Sequence, residues 1–397
     1  MAEFRLAVIN TQPPHLYYGG VERRITETAQ RIETHVNLTI YSGTKKGFKI
    51  PTLKNGTTLI PLHSTDKLFP LDNWSFNRSL TKRVAKIDSD VFEVHAVSGY
   101  GLPKKLRQLG IKTPFIHTIH GVLADEYEQG KLGINSLRDR VANVFMGHLA
   151  RLEHQTAQAA TLIVTISCYS LHKMQVHYGV EESRVRIVPN GVDTERFMPH
   201  PDRVAIKRQF GLGEGSVVLF VGSMIPRKGL FFLVEVAKKV IKVRPDTKFL
   251  IVGDGPLLKS FVASLAEAHL LSNFVFLGNL GEAVFPLVYN CADVFVLPSI
   301  QEGQGIVLLE AQASALPVVA FDIGGVNEAV QNGVSGLLVE RGCIVALADA
   351  LLRLLGDVGL RERLGQCGRR FVVENYTWAL CAKRMLEVYR EALALRR

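Results

Sequence analysis

The sequence predicts an α/β fold with two parallel sheets in separate domains, and three observations predict it. The first is length: 397 residues exceed one ordinary core and suit two domains of roughly 180–200 residues. The second is hydropathy: short, nearly all-apolar runs bounded by Gly, Pro or Asn recur along the chain, as expected of strands covered on both faces by helices. The third is order. Stretches of helical period separate these runs from end to end, which requires right-handed crossovers and parallel pairing.

Taken in order, the expected strands are RLAVIN (5–10), VNLTIYS (36–42), VFEVHAV (91–97), PFIHTIH (114–120) and TLIVTIS (161–167). After residue 200 they are SVVLFVG (216–222), KFLIVG (248–253), FVFLG (274–278), DVFVLP (293–298), PVVAF (317–321) and SGLLVE (335–340). Between the two sets, VPNGVDTERFMPHPD (188–202) clusters Pro and Asn-Gly, and a new helix starts at RVAIKRQF with Asp202 as its expected N-cap. The chain ends in a helix, TWALCAKRMLEVYREALALRR, with Thr377 as candidate N-cap. The expected layout is therefore a first domain over 1–195, a second over 196–375, and a closing helix over 376–397 that folds back on the first.

Composition narrows the function. Hydrophobic residues make up 47% and charged residues 21%, a globular balance without low-complexity segments or solenoid repeats. The start, MAEFRLAVIN, reads as a first strand rather than a signal peptide. No window approaches the ~18 uninterrupted apolar residues of a membrane span. Five scattered cysteines without a C-x-x-C spacing argue against a disulfide framework or a zinc site and predict a cytoplasmic, reducing location. The net charge of +10 is spread along the chain and suits an anionic ligand or an anionic membrane surface. No aromatic-interleaved basic stripe or nucleic-acid-binding motif accompanies it.

Ligands of parallel sheets bind beyond the carboxyl ends of the strands, which selects four loops. In HLYYGGVERR (15–24), Gly19 and Gly20 permit close approach of an anion to a helix start, or simply form a tight turn. In FIHTIHG (115–121), His120 ends a strand at the ligand edge, although a strand histidine can equally be a satisfied core residue. In VGSMIPRKG (221–229), Arg227 and Lys228 stand where a helix begins, a place that disfavours cations unless an anion joins them. They could also be a solvated pair. In PSIQEGQGIVLLEAQ (298–312), Glu302 lies in a loop and Glu310 about one and a half turns into the following helix. Their spacing fits different parts of one elongated ligand, with backbone N–H groups near Gly305, Ile306 and Val307 between them. A capping glutamate plus a solvated one is the plainer reading.

As an ordered set, GGVE (19–22), HTIHG (117–121), TISCYS (165–170), VPNGVD (188–193), VGSMIPRKG (221–229), IVGDGPL (251–257), ADVFVLPS (292–299) and EGQGIVLLEAQASALPVVA (302–320) resemble the family-4 retaining glycosyltransferases. So does TWALCAKRMLEVY (377–389). The resemblance covers nearly the whole chain, and the Glu-x7-Glu segment is its most specific part. It implies a GT-B architecture, two Rossmann-like domains facing across a cleft, with the acceptor held by the first and the nucleotide sugar by the second. It implies that Glu310 accepts hydrogen bonds from a ribose and that Glu302 faces the transferred sugar. Gly303, Gln304, Gly305, Ile306 and Val307 would surround the sugar or diphosphate. Lys228 and Arg227 would neutralise the diphosphate, Gly20 would approach it from the first domain, and His120 would lie near the reacting carbon. On this reading His120, Lys228 and Glu302 are catalytic, and no metal or other cofactor is needed. The reaction is transfer of a sugar from a nucleoside diphosphate donor, expected to be a UDP-sugar, to a glycan or lipid-linked acceptor, with peripheral contact at the inner membrane face.

Three departures from the family pattern stand out. Ser223 replaces an arginine usual directly after Gly222, Gln304 stands where an aromatic residue is common, and Ser314-Ala315-Leu316 replaces a small Cys-Gly pair. The segment 75–87 places Phe76, Leu80, Val84 and Ile87 at helical spacing with Arg78, Lys82, Arg83 and Lys86 between them, which reads either as a membrane-surface helix or as a helix packed on its sheet with a basic outer face. Two further functions share these motifs: a sugar-nucleotide epimerase, and a module that binds nucleotide or membrane without turnover, for which Ser223 is the supporting residue.

Overall fold

A computed structural model of the chain describes residues 2–16, 19–45, 57–65, 69–131 and 137–395. Tyr17 and Tyr18, in the first of the four loops, lie outside them. The chain forms two compact units, one of Met1–Asn190 with Trp378–Arg397 and one of Gly191–Thr377.

The first unit carries β1 (Phe4–Asn10), β2 (Val36–Gly43), β3 (Thr58–Leu62), β4 (Val91–His95), β5 (Phe115–Ile119), β6 (Leu162–Thr165) and β7 (Val185–Ile187). They form a seven-stranded sheet of order β3-β2-β1-β4-β5-β6-β7, all pairs parallel. The second carries β8 (Val217–Val221), β9 (Lys248–Val252), β10 (Phe274–Gly278), β11 (Val294–Leu297), β12 (Val318–Phe321) and β13 (Gly336–Val339). These form a six-stranded parallel sheet of order β10-β9-β8-β11-β12-β13. The strand order reverses between β1 and β4 in one sheet and between β8 and β11 in the other, and such reversals open crevices at the carboxyl ends.

Every one of the eleven expected runs contains a strand, and the central strands are buried along their whole length, as in Val217–Val221 and Val294–Leu297. The two strands that hydropathy did not announce, β3 and β7, are the edges of the first sheet. Pro61 interrupts the donors of β3, and β7 is the short VRI with a central arginine. An edge strand is covered less and pairs on one side only, so neither a long apolar run nor every N–H is required of it.

Asp202 caps the helix Arg203–Gln209, its Oδ1 accepting from Ala205 N at 2.9 Å. The last helix, Trp378–Ala394, starts directly after Thr377 and buries Trp378, Cys381, Ala382, Met385 and Tyr389. It packs against the helix Gly20–Ile32 of the first unit, where Arg24 reaches Met385 Sδ at 3.2 Å. Of the two readings of residues 75–87, the packed one describes the structure. Phe76, Leu80 and Val84 are core residues and Ile87 packs against them, so the apolar side of this segment is not a membrane face. Arg78, Lys82, Arg83 and Lys86 are exposed, as are Leu71 and Trp74 on the same helix, Phe69–Arg83. No helix among the described residues is long and apolar enough to cross a membrane.

Candidate functional site

In the second unit the loops after β8 and β11 meet at the reversal of strand order. Pro226 opens a single 3-10 turn, Pro226–Lys228, that ends at Gly229 with φ 70°. A Cβ at Gly229 would lie 1.8 Å from the Pro298 carbonyl oxygen, so glycine alone permits both the left-handed turn and this approach. Ile300 N donates to Arg227 O at 2.8 Å, clamping the two loops together. The third loop joins the same way: Gly253, φ 123°, lies where a Cβ would come within 2.2 Å of Gly222 O, and Met224 N donates to Asp254 O at 2.8 Å.

This clamp sets a cation against a carboxylate. Lys228 Nζ donates to Glu302 Oε2 at 2.6 Å, and Arg227 Nη1 stands 3.7 Å from the same oxygen. Lys228 and Glu302 are both buried. Burial pushes the Glu302 carboxyl up, but Lys228 and then Arg227 outweigh it and hold it below the usual carboxylate range. The loop ends at Gly305, φ 83°, which is the N-cap of the helix Ile306–Ala313 and supplies no capping side chain. Gln304 and Gly305 are buried, while Gly303, Ile306 and Val307 are half-buried. Glu310 lies inside the helix, is buried, and accepts from the Tyr289 hydroxyl at 2.5 Å. The two glutamates therefore have different partners. Ser223 is exposed.

The remaining two predicted residues, Gly20 and His120, belong to the first unit. Gly19 is the N-cap and Gly20 the first residue of the helix Gly20–Ile32. Glu22 turns back over this end: a Cβ on Gly19 would lie 2.4 Å from its Oε2, and Asn10 Nδ2 donates to its Oε1 at 3.2 Å. Burial raises the Glu22 pKa. His120 follows the last residue of β5 and is half-buried. Its Nε2 is 3.0 Å from His95 Nδ1, with the two rings stacked at 5.3 Å. His95 Nε2 is 3.3 Å from Glu93 Oε1, and Glu93 in turn accepts from Thr118 Oγ1 at 2.7 Å and from the Tyr389 hydroxyl at 2.5 Å. Burial, more than any neighbour, lowers the pKa of both histidines, His95 to about 4 and His120 well below its ordinary value. Arg24 is buried nearby, donating to Val188 O at 2.7 Å and to Asn190 Oδ1 at 3.2 Å.

Thus Arg227, Lys228, Glu302, residues 303–307 and Glu310 belong to one crevice edge of the second unit, and Gly20 and His120 to the ligand edge of the first. Sequence reasoning missed Glu93, His95, Tyr289 and Tyr389, and assigned no role to Arg24. A signal existed for the first two: Glu93 and His95 interrupt an otherwise apolar strand at a spacing of two, which puts both on one face, and a buried polar pair needs partners.

Residues 215–357 match the family model described as glycosyl transferases group 1, and residues 18–196 match that of glycosyltransferase family 4. Among curated proteins, the chain is 31% identical over 237 residues to a GDP-mannose-dependent alpha-(1-6)-phosphatidylinositol monomannoside mannosyltransferase of Mycolicibacterium smegmatis, covering 58% of this chain. It is 32% identical over 295 residues to a D-inositol 3-phosphate glycosyltransferase of Nocardia farcinica, covering 71% of this chain. The match spans 62% of the length of each of these two relatives. Among solved structures, sucrose-phosphate synthase of Thermosynechococcus elongatus superposes with a TM-score of 0.83 at 20% identity, covering 98% of this chain and 99% of that one. The Anabaena protein HepE, solved with UDP-glucose, gives 0.77 at 17% identity over 98% of this chain and 100% of its own. Two parallel-sheet Rossmann-like units, each matched by a glycosyltransferase model, place the chain in the family-4 glycosyltransferases, with the GT-B fold.

Proposed function

We propose that this protein is a retaining glycosyltransferase that moves a sugar from a nucleoside diphosphate donor, a UDP-sugar, to a glycan or lipid-linked acceptor without a metal. The observation that carries the reading is the Arg227–Lys228–Glu302 cluster beside the uncapped start of helix Ile306–Ala313. Breaking a sugar–diphosphate bond develops negative charge on the leaving phosphate and oxocarbenium character on the sugar, so catalysis needs a preorganised cationic cradle. Lys228 is held in place by Glu302, Arg227 stands beside it, and the helix start adds unpaired N–H groups and positive dipole. Side-chain cations thus take the part a divalent ion plays elsewhere.

Glu310, buried one turn further along and joined to Tyr289, is assigned to the nucleotide ribose, and Glu302 to the sugar end. Neither is a covalent nucleophile in this reading: retention comes from attack on the same face, with the leaving phosphate taking the acceptor proton. The M. smegmatis relative is named for GDP-mannose and HepE was solved with UDP-glucose; both donors share the diphosphate that this cluster suits. A lipid-linked acceptor accords with the exposed Trp74, Arg78, Lys82, Arg83 and Lys86, because basic and aromatic side chains favour an anionic membrane surface.

The test is incubation with a panel of UDP- and GDP-sugars and candidate acceptors, reading nucleotide release and the mass of the product. UDP release with a mass gain of one sugar on the acceptor is expected. Absence of both binding and turnover with every nucleotide sugar overturns the reading, and GDP release in place of UDP corrects the donor.

A further inference from the structure

Within the second unit, one polar contact reaches the crevice from the amino end of a strand rather than from the loops at its carboxyl end. Tyr289 lies in the short helix Leu287–Asn290, which precedes β11, whereas Glu310 lies in the helix Ile306–Ala313 that follows the same strand. Both side chains are buried, and the tyrosine hydroxyl donates to Glu310 Oε2 at 2.5 Å. A tyrosine placed so deeply needs an acceptor for its hydroxyl, and a carboxylate placed so deeply needs donors.

The ring has little freedom. Phe197 and Phe285 meet it edge-on at 5.6 and 5.7 Å, and Phe295 lies tilted against it at 6.1 Å. The turn that carries it is pinned by its neighbour: Asn290 Nδ2 donates to Met198 O at 3.0 Å, and Asn290 Oδ1 accepts from His200 N at 2.8 Å. Glutamate, by contrast, turns about several side-chain bonds, and fixing a side chain of that length costs free energy whenever it happens. A hydrogen bond to a rigid phenol moves that cost from ligand binding to folding. A carboxylate accepts about four hydrogen bonds, so the one from Tyr289 leaves Glu310 able to take hydroxyl donors. The phenol is neutral, so it orients the charge of Glu310 without cancelling it, unlike the Lys228 ammonium on Glu302.

We propose that Tyr289 is a positioning residue that presents Glu310 to the paired hydroxyls of a ribose, and so sets the preference of the site for ribonucleotides over nucleotides that lack those hydroxyls. The inference rests on the assignment of Glu310 to the nucleotide ribose and deepens it, because Tyr289 acts through Glu310 without itself meeting the ligand. Neighbouring ribose hydroxyls offer a pair of O–H donors. A carboxylate already held in one orientation receives both in charge-assisted bonds, whereas one that still has to be ordered gives up part of that gain.

The experiment is titration calorimetry of the full-length protein with UDP and with 2′,3′-dideoxy-UDP, the corresponding GDP pair run beside them. The parent is expected to bind the ribonucleotide more tightly than the dideoxy form. Tyr289→Phe keeps the ring and its packing; its affinity for the ribonucleotide should fall by about tenfold while that for the dideoxy form stays parental. In the Glu310→Gln background the same change should cost little further affinity. Phe285→Leu loosens the packing of the same ring but leaves the hydroxyl, so it should lower the denaturation midpoint and keep the preference. Equal losses for both nucleotides in Tyr289→Phe, or a preference narrowed as much by Phe285→Leu, overturn the proposal and leave Tyr289 a packing residue. A crystal structure of the parent with the bound nucleotide decides the point without any variant: Tyr289 and a ribose hydroxyl should both bond Glu310, and a Glu310 turned away from Tyr289 overturns the proposal. If the parent binds but does not distinguish the two forms, the ribose assignment fails and the proposal falls with it. If it binds neither UDP nor GDP, the functional reading itself has failed and takes the proposal with it.

Discussion

At the scale of single residues, the buried Lys228–Glu302 pair carries two expectations. Removing one member of a buried ion pair leaves the other uncompensated, at about 3–5 kcal/mol. Lys228→Ala should therefore lower stability and, by removing a donor from the leaving diphosphate, lower kcat by about 10²–10³; a parental kcat in steady-state assays would exclude Lys228 from the chemistry. The pH dependence follows from Glu302. Its carboxyl is held below its ordinary value by Lys228 and Arg227 against the opposing effect of burial. A carboxylate with a depressed folded pKa contributes stability above its unfolded pKa and loses it as pH falls through the folded one. Denaturation midpoints of the parent protein should therefore drop more steeply from about pH 5 to about pH 3 than those of Glu302→Gln. Equal slopes would mean that the pair is not ionised. Glu310→Gln keeps the shape of a side chain bonded to Tyr289 but removes its charge; UDP affinity measured by calorimetry should fall by roughly tenfold, the scale of a hydrogen bond to a charged group.

At the scale of elements, the crevice is built by glycines at the ends of β8, β9 and β11 rather than by the strands themselves. Gly229→Ala tests this. The substitution forces a non-glycine residue to φ 70° and a Cβ into the Pro298 carbonyl at 1.8 Å, so the loops 222–229 and 298–305 must separate. Strain of about 1–3 kcal/mol is expected, and donor affinity should drop far more than that of Gly211→Ala, which also has positive φ but open space around it. Matching affinities for the two variants in a titration with UDP would show that loop contact is unimportant. The edge strands make the complementary point about legibility. β3 and β7 escaped the hydropathy pattern because their positions in the sheet relax the very burial that makes a strand visible.

At the scale of the whole chain, the last helix belongs to the first unit although its sequence follows the second. It buries Trp378, Met385 and Tyr389 there, each contributing about 1.5–3 kcal/mol by area. A chain ending at Thr377 should lose hydrogen-exchange protection in β4, β5 and the helix Gly20–Ile32 while β8–β13 retain theirs; uniform loss in both units would contradict the division. The sequence alone determined the two parallel sheets, the places of eleven strands along the chain and the loops that hold Lys228, Glu302, Glu310 and His120, because apolar runs, turn residues and strand-to-helix alternation are local properties. It did not determine what those side chains touch. That Lys228 grips Glu302, that Tyr289 holds Glu310, and that Glu93, His95 and Tyr389 stand behind His120 join residues up to 296 positions apart. Such pairings depend on strand order and on which helix covers which face, and these are fixed only when the sheets close over their cores.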